Sequence, residues 1–375
     1  MKKRFLALLL ALTTLLSLFA CAPDNAGSGS GEKPEITTEK DENGLLYVLS
    51  GETYTVVGYE GKAAAVSVPA TFNGKAVTQL SSDAFYGNKL ITSVSLPASI
   101  NSISPFALAS CAKLAKIEID AANPVYRAEA NCILKGDTLV TACIGSDFSA
   151  LSFTEVGEHA MYGLAMASIV LPASVKTIGR YAFAFASATS ITLPEGVEEI
   201  KEAAFYFCQK VKALSLPASL KKFATDSFAF MTALESITVA EGNAAFASKQ
   251  NCLIRLSDKT LVLGCAKSTI PSDGSVTKIG SAAFAGAVAL EKVTIPEAVT
   301  EIGPNAFYAT ALTQASFAQN RWYVSASTDT TVGTAIDTKN VLSDTGKPMT
   351  ASEVVLYNAR LLRDAYANMR WFTKP

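Results

Sequence analysis

A short pattern, aliphatic-x-x-x-Ala-Phe, recurs eight times in the middle of this chain, and its regular return constrains the fold more than any other feature. The copies start at Leu80, Ile103, Val156, Ile178, Ile200, Phe223, Ile279 and Ile302. They end at Phe85, Leu108, Met161, Phe183, Phe205, Phe228, Phe284 and Phe307. Successive ends are 23, 53, 22, 22, 23, 56 and 23 residues apart, so the unit is about 23 residues and two intervals carry about 30 more. Eight or nine residues after seven of these ends lies a second aliphatic: Val94, Ile117, Ile169, Ile191, Leu214, Ile237 and Val293. A third follows two residues on and usually precedes proline, as in Leu96-Pro97, Leu171-Pro172, Leu193-Pro194, Leu216-Pro217 and Ile295-Pro296. Alternation ended by a residue that cannot donate to a ladder describes a short strand. A unit this small cannot bury its apolar face alone. The units must stack as a solenoid, with parallel strands about 4.8 Å apart and the repeated aliphatics and Ala-Phe pairs pointing inward.

These residues resemble the BspA-like leucine-rich repeats of bacterial surface proteins, whose unit reads roughly Ile-Gly-x-x-Ala-Phe-x-x-Cys-x-x-Leu-x-x-Ile-x-Leu-Pro. Ile178-Gly179, Ile279-Gly280 and Ile302-Gly303 keep the glycine, and Cys111 and Cys208 keep the cysteine. Lys201 and Ala224 depart from the glycine, and Leu108 and Met161 from the phenylalanine. The resemblance spans about residues 45–317. It implies a leucine-rich repeat array in an extracellular, mostly protein-binding role.

The two long intervals match each other. Asn123, Tyr126, Asn131-Cys132, Thr138-Leu139-Val140 and Cys143 in the first correspond to Asn243, Phe246, Asn251-Cys252, Thr260-Leu261-Val262 and Cys265 in the second. Each reads as a β-hairpin insertion, near 120–150 and 240–272, with turns at Gly136-Asp137 and Ser257-Asp258. Residues 45–76, with alternation around Tyr54-Thr55-Val56-Val57 and a Val68-Pro69 echo of the repeat, suit an N-terminal β cap. The solenoid proper occupies 77–317. Residues 318–375 suit a C-terminal cap, in which Thr350 and Glu353 form a capping box before a helix over Val354–Phe372 with Val355, Leu362, Tyr366 and Met369 near one face.

The N-terminus is an address. Lys2, Lys3 and Arg4 precede an apolar run from Phe5 to Leu16, too short behind its basic flank for a spanning helix. Residues 1–20 resemble a bacterial lipoprotein signal, with the box Leu18-Phe19-Ala20-Cys21, which implies acylation of Cys21. Residues 21–44, with Gly27-Ser28-Gly29-Ser30-Gly31, read as a flexible tether. The expected location is therefore the cell envelope or surface, held to a membrane by the acyl chains on Cys21.

Composition narrows the chemistry. Lys plus Arg number 32 against 33 Asp plus Glu, and without the three basic residues of the first twenty the formal charge is −4. That balance opposes nucleic-acid binding, which needs basic density. His159 is the single histidine, which nearly removes His-based catalytic and metal sites. It stands in a variable slot shared by Asp83, Tyr181, Ala203 and Asn305, so a solvent-facing side chain is expected. No Gly-rich phosphate loop or carboxylate pair at a catalytic spacing is present, and neither enzyme chemistry, a cofactor nor a metal is expected. Cys111 and Cys208 fall on inward positions and read as small buried hydrophobes. Cys132 with Cys143, and Cys252 with Cys265, sit diagonally on hairpin arms, which leaves disulfides open.

Two surfaces remain for recognition. The outward strand positions, Ser95, Glu118, Val170, Thr192, Ser215, Thr238, Thr294 and Ser316, are mostly hydroxylated. The segment after Ala-Phe is aromatic instead. Position one holds Tyr86, Tyr162, Tyr206 and Tyr308, and position two holds Phe185, Phe207 and Phe230 in consecutive repeats. Phe185, Phe207, Phe230, Tyr206 and Tyr162 form a candidate patch, since aromatics bury large area with few torsions. The competing reading is an accessory ladder in which the phenylalanines stack on one another. The functional expectation is a lipid-anchored surface protein that binds another macromolecule, foremost a protein, in adhesion or cell interaction. A glycan- or nutrient-capturing lipoprotein and an envelope spacer without a ligand are the alternatives.

Overall fold

The computed structural model describes residues 37–224, 226–326, 333–343 and 345–374. The signal segment 1–20 and Cys21 lie outside the described residues. Thr38–Pro375 forms one compact unit, a solenoid in which each repeat lays down three backbone tracks.

The first track is the strand anticipated before each proline. Ser93–Leu96, Lys116–Ile119, Ser168–Val170, Ser190–Thr192, Ala213–Leu216, Ser236–Val239, Lys292–Ile295 and Gln314–Phe317 are those strands. They pair in parallel with their repeats in register, Val94 with Ile117 and Leu214 with Ile237. Alternation sends Val94 and Leu96 inward. Where the next repeat lacks proline the ladder gains a bond, as Asp120 N–H donates to Leu96 O and Ala240 N–H to Leu216 O, both at 2.9 Å.

The second track is the leading aliphatic, held in two-residue strands such as Glu155–Val156, Thr177–Ile178, Glu199–Ile200 and Lys222–Phe223. Val156, Ile178, Ile200 and Phe223 align across four parallel strands. The chain leaves this track closely packed against its neighbour. A β-carbon on Gly179 would come within 2.5 Å of Val156 O, which explains the Ile-Gly pair there.

The third track is the Ala-Phe turn. Phe85, Phe183, Phe205, Phe228, Phe284 and Phe307 are fully buried, and they stack from turn to turn, Phe183 on Phe205 at 5.0 Å and Phe284 on Phe307 at 5.1 Å. Two residues after the buried aromatic position the chain turns left-handed in all eight repeats, at Gly87, Ser110, Gly163, Phe185, Phe207, Phe230, Gly286 and Ala309. That twist aims each position-two N–H at the position-one carbonyl of the next repeat. Gly87 donates to Ala109, Ser110 to Tyr162, Phe185 to Tyr206, Phe230 to Ala285 and Gly286 to Tyr308, at 2.8–3.3 Å. The Ser110 and Phe230 bonds cross the insertions. The turn track therefore runs unbroken where the other two tracks are divided into separate sheets.

Each insertion is a three-stranded antiparallel meander, one strand more than the hairpin expected. Arg127–Glu129, Cys132–Lys135 and Thr138–Ala142 form the first; Phe246–Lys249, Cys252–Arg255 and Thr260–Leu263 form the second. The matched asparagines account for the added strand. Asn131 and Asn251 occupy left-handed positions in two-residue turns between the first and middle strands. Asn123 and Asn243 use their side-chain amides to bind the loop below, Asn123 Nδ2 reaching Ile100 O at 2.8 Å and Asn243 Nδ2 reaching Leu220 O at 3.0 Å. The last strand of each meander rejoins the second track in parallel, pairing Leu139 with Val156 and Leu261 with Ile279. The middle strands are buried on both faces. Ile133 belongs to one apolar cluster and Leu134 to the next; Leu253 and Ile254 divide in the same way. The insertions are thus internal partitions between three cores.

Both ends differ from expectation in extent. At the N-terminus the folded part begins within the segment read as tether: Glu39–Lys40 pairs with Leu45–Ser50, and the Tyr54 hydroxyl donates to Glu39 at 2.7 Å. At the C-terminus the capping box of Thr350 and Glu353 starts a helix over Ala351–Arg360, continued by a π-helical turn at Leu361–Ala365. The helix does not reach Phe372. Arg370–Phe372 is a strand inserted between Glu301–Ile302 and Arg321–Ser325, where Trp371 faces both Ile302 and Val324. Pairing with that exposed ladder edge outweighs the helical spacing of Tyr366 and Met369. The buried helix residues accordingly include Val354, Ala359, Leu361 and Leu362, with Val355 only half-buried.

Candidate functional site

Several hydroxyls of the outward strand face pair with one another. Ser190 Oγ donates to Ser168 Oγ at 3.0 Å, Ser215 and Thr238 share a hydrogen bond of 3.0 Å, and Ser67 and Ser95 one of 3.3 Å. Hydroxyls engaged along the sheet offer a partner little beyond weak polar contact. Val170, at 60% exposure, is the one large apolar residue among the outward positions.

The turn track carries the aromatics, and it brings the five candidate residues together. Phe185, Phe207 and Phe230 stack face to face, with centroids 5.2 and 5.0 Å apart and planes within 28°. This is the accessory ladder considered for them. All three remain half-buried rather than enclosed. Tyr206 lies across the stack, at 68° to Phe185 and 75° to Phe230. Tyr162 packs 5.2 Å from Phe185 and links to Tyr86, which is 46% exposed, while Tyr308 meets Phe230 edge-on at the other end. The result is one row of rings from Tyr86 to Tyr308 that follows the unbroken track across both insertions. Burial is the main cause that raises the pKa of Tyr162, Tyr181 and Tyr206, so these hydroxyls stay protonated.

The phenylalanines hold this row in an unusual backbone. A left-handed conformation disfavours any residue with a β-carbon, and φ is 60° at Phe185, 59° at Phe207 and 61° at Phe230. The same slot in the other five repeats is glycine three times, Gly87, Gly163 and Gly286, and otherwise the small Ser110 and Ala309. Those glycines were the sequence signal for the geometry, and three bulky rings there stand against the local preference.

His159 does not face solvent as expected. It is 6% exposed, also left-handed, and its imidazole lies 3.8 Å from the Phe106 ring and stacks on Tyr181 at 5.2 Å. The left-handed turn folds the side chain against the neighbouring repeats, where Tyr181 occupies the equivalent slot. Burial, followed by the charge of Arg180, pushes its pKa down to about 4.

All six described cysteines are free thiols. Cys111 and Cys208 are buried as expected, each donating to a carbonyl at 3.0 Å, Phe85 O and Phe183 O respectively. In the partitions Cys132 pairs across the sheet with Ala142, which turns the adjacent Cys143 to the opposite face. The two thiols therefore enter different cores, as do Cys252 and Cys265.

Among the described residues no cluster suits a metal ion, and no helix is long and apolar enough to cross a membrane. An enclosed void of about 10 Å³ beside Cys111 holds at most one water. An open hollow of about 260 Å³ lies over Leu193, Ser215, Leu216 and Thr238 on the strand face. The aromatic row is the more distinctive surface.

The profile of the BspA type leucine rich repeat region matches six copies over residues 70–132, 154–255 and 262–328, more than half of the chain, with breaks inside the two insertions. Among solved structures, a leucine-rich cell surface protein of Faecalibacterium prausnitzii is 22% identical over 75% of this chain and 76% of its own, with a TM-score of 0.50. The pneumococcal vaccine antigen PcpA is 21% identical over 75% and 70%, at a TM-score of 0.45. A leucine-rich repeat protein of Bacteroides ovatus is 22% identical over 78% and 72%, at 0.44. No curated protein matches the chain. At these identities the structural likeness concerns the fold alone. The repeat profile and the three-track solenoid together establish that the chain belongs to the BspA-type leucine-rich repeat family.

Proposed function

We propose that this chain is a lipid-anchored cell-surface protein that recognises another protein through its aromatic turn track. The observation that carries the reading is the row itself: Phe185, Phe207 and Phe230 occupy backbone positions that favour glycine, yet stack in a row that stays only half-buried. Large rings held in a fixed stack lose little entropy on binding, as recognition hot spots require. A surface location is supported by the family and by the F. prausnitzii relative, named a cell surface protein. Anchoring rests on the Leu18-Phe19-Ala20-Cys21 box. A sugar platform is less well supported, because a pyranose stacks on a ring face and the phenylalanine faces cover one another.

The test is binding of the detergent-purified full chain to arrayed extracellular proteins and glycans. It is run beside a variant carrying Phe185→Gly, Phe207→Gly and Phe230→Gly. Glycine suits the left-handed turns, so the variant removes rings without adding backbone strain. Saturable protein binding lost in the folded variant supports the reading; binding that survives it moves recognition to another face. Labelled fatty acid incorporated by cells expressing the chain, and lost with Cys21→Ser, tests the anchor.

A further inference from the structure

Carboxylates flank the aromatic row. Two or three residues before the buried position stand Asp83, Glu158, Glu202 and Asp226, and Arg180 in the same slot ties Glu158 to Glu202, its guanidinium 3.9 Å from Glu158. Asp83, Glu158 and Glu202 are exposed and Asp226 is half-buried. Arg180 is engaged by its neighbours, its Nε 3.1 Å from Glu202 and its guanidinium 5.0 Å from the Tyr181 ring. One cation among four carboxylates leaves this edge acidic. Lys89, Lys113 and Lys210 follow the buried position by four or five residues, and all three are exposed.

The tyrosine hydroxyls belong to the acidic edge. On the Tyr181 hydroxyl burial acts most, then the opposing charge of Arg180, then the carboxylates of Glu202 and Asp226; on Tyr206 Asp226 acts after burial and the Tyr181 hydroxyl. Arg180 over Tyr181 shows the chemistry this edge accepts: a guanidinium laid on a tyrosine ring beside a carboxylate. Tyrosine hydroxyls and carboxylates thus lie together from Tyr181 to Tyr206, beside the half-buried phenylalanine stack.

Taking the aromatic row as the recognition surface, we propose that its partner is a protein segment presenting lysine or arginine side chains beside apolar ones, with the cations seated along the Glu158–Glu202–Asp226 edge. Apolar side chains of the segment would cover the exposed parts of Phe185, Phe207 and Phe230. Its cations would meet carboxylates and tyrosine hydroxyls, as Arg180 does within the chain. An acidic segment would meet these carboxylates with repulsion, and an anionic lipid surface is disfavoured on the same ground.

Three immobilised peptides of equal length test this with the detergent-purified full chain. One alternates arginine with leucine, the second alternates glutamate with leucine, and the third alternates serine with leucine. Binding is measured at low and high salt. The expected result is preference for the arginine peptide, weakening with salt because the contacts are exposed. Glu158→Gln, Glu202→Gln and Asp226→Asn together should weaken it by about tenfold or more and flatten the salt dependence. The corresponding lysine substitutions should abolish it, and the triple glycine variant should weaken all apolar peptides alike. Preference for the glutamate or serine peptide, binding to none, or indifference to the amide variant would overturn the inference. If the glycine variant still loses an array-identified protein in those cases, the aromatic surface stands and only the charge assignment fails. If binding survives the glycine variant, the surface reading itself fails.

Discussion

Phe205 and Phe207 stand two residues apart in one turn and make opposite demands on the chain. Phe205 is fully buried in ordinary geometry, stacked between Phe183 and Phe228, while Phe207 is half-buried at a φ of 59°. Phe205→Ala should therefore destabilise the protein by about 3–5 kcal/mol. Phe207→Gly should change stability by only about 1–2 kcal/mol, because relief of the left-handed strain offsets part of the lost ring contact. Denaturant midpoints of the two variants test the contrast. His159 supplies a pH dependence of definite sign. Its folded pKa of about 4 lies below the ordinary value of 6.5, so below about pH 6.5 the unfolded chain takes up a proton that the folded one refuses. Stability is fully present above that pH and falls as pH drops toward 4, by about 2–3 kcal/mol from this group. His159→Tyr, copying the residue of the next repeat at the same slot, should remove that part of the decline, measured as the difference between the two pH profiles. The thiols give a third test. Burial pushes Cys208 up to about 12 and Cys132 and Cys252 likewise. In a Cys21→Ser chain, aromatic disulfide reagent should find almost no reactive thiol in the native state and six after denaturation; four or two would mean that the partitions carry disulfides. The solvent-facing assignment of His159 missed because a left-handed turn, not a side-chain pattern, decides its direction.

Elements built from local signals were legible, and those closed by distant partners were not. The strand before each proline and the Ala-Phe positions follow from spacing alone, since the same contact recurs every 22 or 23 residues. The insertions were visible as a matched pair. Their third strand and their burial on both faces were not, because Ile133 and Leu134 find their cores in different sets of repeats. The C-terminal helix shows both cases within one element. Its start was written in Thr350 and Glu353, and the structure has both halves of the capping box, Glu353 N–H to Thr350 Oγ1 at 3.4 Å and Thr350 N–H to Glu353 at 2.7 Å. Its end was set by Trp371 pairing with Ile302, a partner about seventy positions earlier. Thr350→Ala removes the cap and should cost about 1 kcal/mol, felt first by this helix. Hydrogen exchange should quicken over Ala351–Arg360 while the amides of the Phe183–Phe205 turns keep their protection; uniform acceleration would mean that the cap and the repeats unfold as one unit.

Across the whole solenoid, stacking creates a problem that the cap has to solve. Each repeat covers the one before it, so the last repeat presents both an apolar face and a strand edge of unpaired N–H and C=O groups. Here the edge is Glu301–Ile302, and the chain closes it with its own final strand, Arg370–Phe372, pinned by Arg370 Nε to Glu301 at 2.8 Å. Trp371 and Trp322 fill the space over Phe317, both almost fully buried, and Trp371 stacks on Phe317 at 5.9 Å. The closing strand is antiparallel to a track that is otherwise parallel within the solenoid. A second solenoid arriving as another repeat would extend this track in parallel, so the strand occupies the edge in an orientation that further repeats do not use. Deleting residues 370–375 should expose Ile302 and the two-tryptophan core together. The truncated chain should self-associate with rising concentration in sedimentation, beyond whatever state the full chain holds at the same concentration. Thr350→Ala, which loosens the helix but leaves the final strand in place, should sediment like the full chain. If the truncated chain also matches it, the edge is protected by the helix and the Arg321–Ser325 hairpin, and the closing strand contributes stability alone.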